Sequence, residues 1–285
     1  MKGKLKKNYT DPWKEYANRY EKFYWEPGKP TKQEKKIFYK FIKEALKKRK
    51  KTRALILGAT PSIRDELAKF NVEVTLIDIN KNMINEMSKL TTHKKKEIIV
   101  KGNWINTKFP DNHFDIVMGD LVLGNLDAKH QPKFLKEVKR ILKQEGYWIH
   151  RMFFFPPNWK FESTEQVLKK FSKMKHNYDR STELLVYLVY NTYNKKTHEV
   201  YTREIKKTLK KYWKKDKYIY PNDPKVEELM NEMYTMYKPL KKTWYTGTKK
   251  EVFSRISKFF KIIKEDFAKD HYFGRSFIII VCKPK

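Results

Sequence analysis

The chain has 285 residues, 40% apolar and 34% charged. That is enough apolar mass for a sizeable core and excludes a largely disordered chain. Apolar runs such as Phe277–Cys282 and Met152–Phe155 fall far short of the ~20 residues of a membrane span, and the basic start MKGKLKKNYTDPW leads into no apolar signal segment. The single cysteine, Cys282, excludes an internal disulfide, a Cys-based zinc site and a Cys-held iron–sulfur cluster. A cytoplasmic protein is expected. The net charge of +32 is carried by 55 Lys and only 10 Arg, whereas Arg is the residue that makes bidentate base and phosphate contacts. This profile fits compositional drift at least as well as selection for nucleic acid.

In chain order, residues 1–50 read as an N-terminal helical cap or lid. Tyr16, Tyr20 and Tyr24 share a helical face, Glu26-Pro27-Gly28-Lys29-Pro30 breaks it, and Thr31-Lys-Gln-Glu34 is a capping box. It opens a helix with Ile37, Phe38, Phe41, Ile42, Ala45 and Leu46 on one face. Residues 51–155 then alternate. Strands are expected at 53–57, 72–77, 97–100, 114–118 and 147–154, and helices at 61–70, 81–90 and 131–142. Short buried strands alternating with helices predict a doubly wound α/β sheet. Residues 156–248 break the rhythm and predict a mostly helical insertion, with helices near 164–173, 182–193, 200–213 and 225–237. Residues 249–285 resume it with a closing helix and two strands, at 262–267 and 276–282. Insertions late in such sheets commonly lie over the strand C-terminal ends, where ligands bind.

The first strand ends in Leu57-Gly58-Ala59-Thr60-Pro61. Gly58 permits a tight turn and close backbone approach, Thr60 is placed to cap the next helix and Pro61 suits its first turn. The second strand ends in Asp78, where a carboxylate can accept from ribose hydroxyls. Glycine turn plus strand-end acid is the pairing expected of an adenosine cofactor site.

On these residues the sequence resembles the class I S-adenosylmethionine-dependent methyltransferases. RALILGATPSIRDELA is similar to their first motif, with a single glycine where G-x-G-x-G is usual. VTLIDINKNMI resembles the second motif, VKGNWINTKFPDNHFDIVMGDLVLGNL the third strand through the fourth, and FLKEVKRILKQEGYWIHRMFF the helix and fifth strand. The resemblance covers about residues 50–155, with a weaker echo over 249–285. It implies a seven-stranded sheet and S-adenosyl-L-methionine as cofactor. It also implies that Gly58, Ala59, Thr60 and Pro61 lie against the amino-acid and ribose parts. Asp78 would take the ribose hydroxyls, Ile79 and Met83 would pack the adenine, and Asn103 and Trp104 would flank its edge. Gly119, Asp120 and Leu121 would end the fourth strand under the sulfonium.

GATPSIR is also similar to the GATGxxG turn of nicotinamide-dependent short-chain dehydrogenases, but Pro61 and Arg64 replace the later glycines. Tyr-x-x-x-Lys occurs about as often as 18 Tyr and 55 Lys give by chance. Cys282 in the last strand excludes a thiolate nucleophile for pyrimidine methylation. Asn/Asp-Pro-Pro-Tyr is absent after the fourth strand, and the scattered His residues make no metal pair. His150, Asp120 and Arg151 remain as candidates near an acceptor, and His150 could act as a base. Methyl transfer needs little beyond alignment, so no base is required. A small-molecule acceptor is expected. The alternatives are an RNA or protein acceptor and a non-catalytic binding protein. RNA would bind at Lys206–Lys217, where Lys206, Lys210 and Lys214 share a helix face beside Tyr212 and Trp213.

Overall fold

In the computed structural model the described residues are 26–47, 49–156, 159–160, 162–173, 178–214, 217–218, 224, 227, 230–231, 234, 242–271 and 273–285. The aromatic face expected over residues 16–24 lies outside them, as does most of the helix expected over 225–237. The chain divides into two compact units, one of residues 29–156 with 245–285 and one of residues 1–28 with 157–244.

The first unit opens with helix α1 (Lys32–Leu46), started by the expected capping box. Thr31 Oγ1 accepts from the Glu34 amide at 3.2 Å, and the Glu34 carboxylate accepts from Thr31 N at 2.8 Å. Its buried face is Glu34, Phe38, Phe41, Ile42 and Ala45. The alternation follows as expected: β1 (Thr52–Leu57), α2 (Pro61–Leu67), β2 (Val72–Asp78), α3 (Lys81–Lys89), β3 (Ile98–Lys101), β4 (Phe114–Asp120), α4 (Gln131–Ile141) and β5 (Leu142–Phe153). Two details differ from expectation. Pro61 does occupy the first turn of α2, but Thr60 makes no side-chain cap; its backbone at φ −54°, ψ 112° leaves the hydroxyl without a bond to the first-turn amides. Strand β5 starts at Leu142, before the expected Tyr147, because α4 passes directly into an extended residue that pairs with Phe114 ahead of a register shift.

The second unit contains helices α5 (Thr164–Ser172) and α6 (Tyr178–Asn191), strands β6 (Tyr193–Asn194) and β7 (Glu199–Tyr201), helix α7 (Thr202–Lys210), the short pair β8 (Trp213–Lys214) and β9 (Lys217–Tyr218), and β10 (Thr243–Tyr245). Its helices are joined by β structure that the periodicity did not show, a three-stranded sheet in the order β10–β7–β6. The single helix expected over 200–213 is instead a strand end, a shorter helix and a second strand. Asn194 Oδ1 accepts from the Lys196 and Thr197 amides and closes a turn that pairs Tyr193 with Val200.

The chain returns to the first unit with helix α8 (Lys249–Ile256) and strands β11 (Phe260–Phe267) and β12 (Phe277–Pro284). The seven-stranded sheet has the order β11–β12–β5–β4–β1–β2–β3. Strands β1 to β5 are mutually parallel, while β12 runs antiparallel to both β5 and β11. Between the sheet and α4 sits a core that includes Leu55, Leu57, Val117, Phe134, Val138, Trp148 and Ile280. The Phe134 and Trp148 rings meet edge to face at 6.1 Å, so truncating Phe134 to Ala would cost about 3–5 kcal/mol. From β1 the chain builds outward to β2 and β3 on one side and to β4 and β5 on the other. The crevice beyond the C-terminal ends of β1 and β4 is therefore the topological switch point, where open α/β sheets bind ligands.

Candidate active site

Register determines what meets at that crevice. Leu57 pairs with Ile77 on β2 and with Gly119 on β4. The next residue of each strand is Gly58, Asp78 and Asp120, so three adjacent strand tips carry acid, glycine, acid in a row. Gly58 has φ +96°, which only glycine adopts without strain, and its amide donates to Ile77 O at 2.8 Å. A Cβ built there would stand 3.8 Å from Asp78 Oδ2 and 3.7 Å from Trp104 Cζ2. The bare glycine face thus looks onto a carboxylate and an indole.

Both neighbours are held in place. Asp78 is 9% exposed; its Oδ1 accepts from Asn80 N at 2.8 Å, while Asn80 Oδ1 caps α3 at Met83 N. The Trp104 indole donates to Ile77 O at 2.8 Å and is half-buried. Asn103 accepts from Ile105 N and closes its own turn. Ala59, Thr60, Pro61 and Met83 are buried, and Ile79 is half-buried.

On the β4 side, Gly119 admits no larger residue, since a Cβ would lie 2.8 Å from His150 Nδ1 and from Val122 Cγ2. Leu121 follows with φ +54°, a left-handed setting costing on the order of 1 kcal/mol. Its amide donates to Arg151 O at 3.0 Å. The Arg151 side chain is fully buried. Its Nε donates to Asp120 Oδ1 at 2.6 Å, Nη2 to Asp120 Oδ2 at 3.2 Å, and Nη1 to Glu34 Oε2 at 2.5 Å. His271 Nε2 stands 3.8 Å from the other Glu34 oxygen. Burial pushes the Asp120 carboxyl above the ordinary range against the pull of Arg151. Burial also opposes ionisation of Glu34, but Arg151, His271 and the Thr31 amide outweigh it and hold that carboxyl low.

The row of tips can therefore take a ligand with hydroxyl donors toward Asp78, a close backbone approach at Gly58 and a flat apolar ring beside Trp104. Three sequence candidates for chemistry are placed differently. His150 has no exposed surface, sits beneath Gly119, and is driven by burial, with help from Arg151, to a pKa of about 3. It is a neutral, sealed imidazole without access to an acceptor. Asp120 and Arg151 bind one another. Burial pushes the Cys282 thiol up, which leaves it inert. Glu34 was read only as a capping residue. The signal for more was an acid on the same helical stripe as Phe38, Phe41, Ile42 and Ala45. No helix among the described residues is long and apolar enough to cross a membrane.

Residues 57–150 match the family described as "Methyltransferase domain". No curated protein sequence matches the chain. Among solved structures, a SAM-dependent methyltransferase from Methanosarcina mazei is 18% identical, with a TM-score of 0.52 over 86% of this chain and 96% of that one. A candidate S-adenosylmethionine-dependent methyltransferase from Listeria monocytogenes is 14% identical, with a TM-score of 0.50 over 87% and 98%. A protein from Rhodobacter sphaeroides described as a candidate zinc-dependent alcohol dehydrogenase is 12% identical, with a TM-score of 0.57 over 94% and 98%. At these identities the likeness is one of fold. The strand order with an antiparallel β12 beside β5 gives the chain the fold of the class I methyltransferases, and residues 57–150 within it match a methyltransferase domain.

Proposed function

We propose that the chain transfers a methyl group from S-adenosylmethionine to an oxygen or nitrogen nucleophile of a small molecule. The observation that carries this reading is the row Asp78–Gly58–Asp120 on three adjacent strand tips, with Trp104 beside it. The donor supplies an electrophilic methyl on a sulfonium. When bound, it would pass that carbon to the acceptor as the carbon–sulfur bond breaks, with the acceptor's proton leaving to solvent. In this reading Asp78 accepts from the ribose hydroxyls, Gly58 to Pro61 approach the donor with backbone, and Ile79, Met83, Asn103 and Trp104 flank the adenine. Gly119, Asp120 and Leu121 shape the methyl end. Residues 51–155 and 249–285 form the donor-binding part. With His150 sealed, alignment rather than a general base does the work.

The use of arginine supports a small acceptor over RNA. Arg49, Arg64, Arg140 and Arg151 are ion-paired inside the first unit, which commits the residue best suited to phosphate and base contacts to internal work. Calorimetry with S-adenosylhomocysteine and NAD(P) tests the donor. Labelled methyl transfer to pooled small phenols and amines, to RNA and to protein tests the acceptor. Binding of S-adenosylhomocysteine with label in the small-molecule pool is expected. Tight NAD(P) binding without S-adenosylhomocysteine binding, or label confined to RNA or protein, would overturn the reading.

A further inference from the structure

The seven-stranded sheet ends in β11 on one side and in β3 on the other, and the two edges are built differently. An edge strand offers unpaired backbone groups to another chain, and proteins blunt such edges with charges, breaks in register or covering elements. β11 is blunted. Its register against β12 breaks between Ile262 and Lys264, and Lys264, Glu265 and Asp266 pair with Glu44, Lys249 and Lys40. Among the described residues β3 is left more open. Its first two residues, Ile98 and Ile99, are 47% and 52% exposed, the highest values for large apolar side chains among the described residues. Successive strand residues point to opposite faces, so this edge is uncovered on both. Single exposed apolar residues are ordinary, but two in succession on an open edge form a template for strand addition.

The flanks state the charge of the occupant. Between Leu90 and Lys101 the one acid is Glu97, and it is turned inward. Its carboxylate accepts from Arg64 Nη2 at 2.5 Å and from Nε at 3.1 Å, and its side chain is 8% exposed. Lys94, Lys96 and Lys101 are exposed. The edge is therefore an apolar pair set between cations. A second copy of the chain fits it poorly. Two β3 strands paired antiparallel about Ile98 and Ile99 would set Lys96 of each against Lys101 of the other, and like charges directly opposite destabilise a strand pair. The net charge of +32 adds a general repulsion between copies.

We infer that β3 is a docking edge for an acidic protein, which adds an extended segment to the sheet. That segment carries apolar side chains against Ile98 and Ile99 and Asp or Glu toward Lys94, Lys96 and Lys101. Main-chain bonds along the open side of β3 supply affinity, and the lysines supply selectivity and a fast encounter. β3 leads through Gly102 into Asn103 and Trp104, whose ring lies against Gly58, so the docking edge adjoins the turn at the crevice.

The test is fluorescence anisotropy of the full chain with three labelled peptides: alternating Val and Thr between pairs of Glu, the same core between pairs of Lys, and the Glu-flanked peptide with Pro at its centre. The Glu-flanked peptide is expected to bind at least about tenfold more tightly than either control and to weaken as salt rises. Two double variants change exposed side chains only, so both should keep the native circular dichroism. Ile98→Lys with Ile99→Lys should weaken the Glu-flanked peptide about tenfold or more. Lys94→Glu with Lys96→Glu should abolish the preference for Glu over Lys flanks. Equal binding of the three peptides, no binding of the Glu-flanked peptide to the native chain, or binding that survives both folded variants overturns the inference. Sedimentation equilibrium of the native chain is expected to show a monomer. A dimer that Ile98→Lys with Ile99→Lys dissolves would give the edge to a second copy, and the acidic partner would be wrong.

Discussion

Strand β4 carries a carboxylate near each end, and the two are built with opposite charge balance. Asp115, at the start of the strand, has two cations. It accepts from Arg49 at 2.9 Å, from Lys143 at 2.9 Å and from the Arg53 amide at 3.0 Å. Arg49 and Lys143 keep side-chain exposures of 22% and 39%. The cationic partners and the amide outweigh burial there and hold the Asp115 carboxyl below its ordinary range. Asp120, at the other end, shares one sealed cation with a second acid, and burial wins. The start of the strand is thus an ordinary stabilising cluster at the solvent boundary. At the end of the strand burial dominates over the paired guanidinium, and it does so at the switch point of the sheet. Proteins tolerate such local violations where a site needs them.

The sharpest way to break this comparison is to remove the arginine at each end. Arg151→Met leaves two buried carboxylates without their cation and should cost about 3–5 kcal/mol in urea unfolding. Arg49→Met leaves Asp115 with Lys143 and the Arg53 amide, and should cost about 1 kcal/mol or less. Equal costs would mean that the two ends are energetically alike and that the sealed cluster has no special standing.

Next in size is the other carboxylate of the crevice. Asp78→Ala should weaken S-adenosylhomocysteine binding by about 1–3 kcal/mol, the range for hydrogen bonds to a charged acceptor, with the fold intact by circular dichroism. Asp78 sits at a strand tip, bonded to a neighbouring amide, so losing it removes little of the core. An unchanged dissociation constant would make it a turn-forming acid and nothing more.

A smaller and pH-dependent effect separates the two ends in another way. An unfolded imidazole takes a proton near pH 6.5, whereas folded His150 takes one only near about 3. Between those values the unfolded chain binds more protons, so acidification favours unfolding. At pH 5 the loss from this one group is on the order of 2 kcal/mol relative to pH 7. His150→Leu should flatten the stability profile between pH 7 and 5, as read by urea midpoints. A profile as steep as that of the native chain would show that His150 titrates normally, and that the region under Gly119 is open to water.

The strand tips were legible from sequence because they rest on local signals. An apolar run, a lone glycine and a following acid placed Gly58 and Asp78 where they stand. The capping box at Thr31–Glu34 was equally local. What was not legible depends on distance along the chain. Glu34 meets Arg151 across 117 positions, and nothing in either neighbourhood encodes the partner. His150 stood only as a candidate that could face an acceptor, since strand alternation gives two faces but not which one is sealed. The β6–β7 hairpin escaped notice because two- and three-residue strands are shorter than any period that can be counted.

The smallest expected effect concerns the lysine-rich stretch that runs from α7 into β8, where Lys214 lies on the strand and not on the helix face expected to carry it with Lys206 and Lys210. The sequence offered Tyr212 and Trp213 there as a stacking platform for RNA. Tyr212 is instead 7% exposed, with its hydroxyl donating to Glu165 at 2.6 Å. It belongs to the core of the second unit together with the inward face of α7, Ile205 and Leu209. The lysines are thus left without that ring, and binding through them is electrostatic, falling steeply with salt. RNA affinity at ~150 mM salt should lie in the nonspecific range of about 10⁻⁴–10⁻⁶ M. Reversing Lys206, Lys210 and Lys214 to Glu should weaken it further while leaving S-adenosylhomocysteine binding unchanged within error. Nanomolar RNA binding at that salt, lost in the triple variant, would place the functional weight on the second unit. The crevice beside Asp120 would then serve an RNA acceptor, and the small-molecule reading would be wrong.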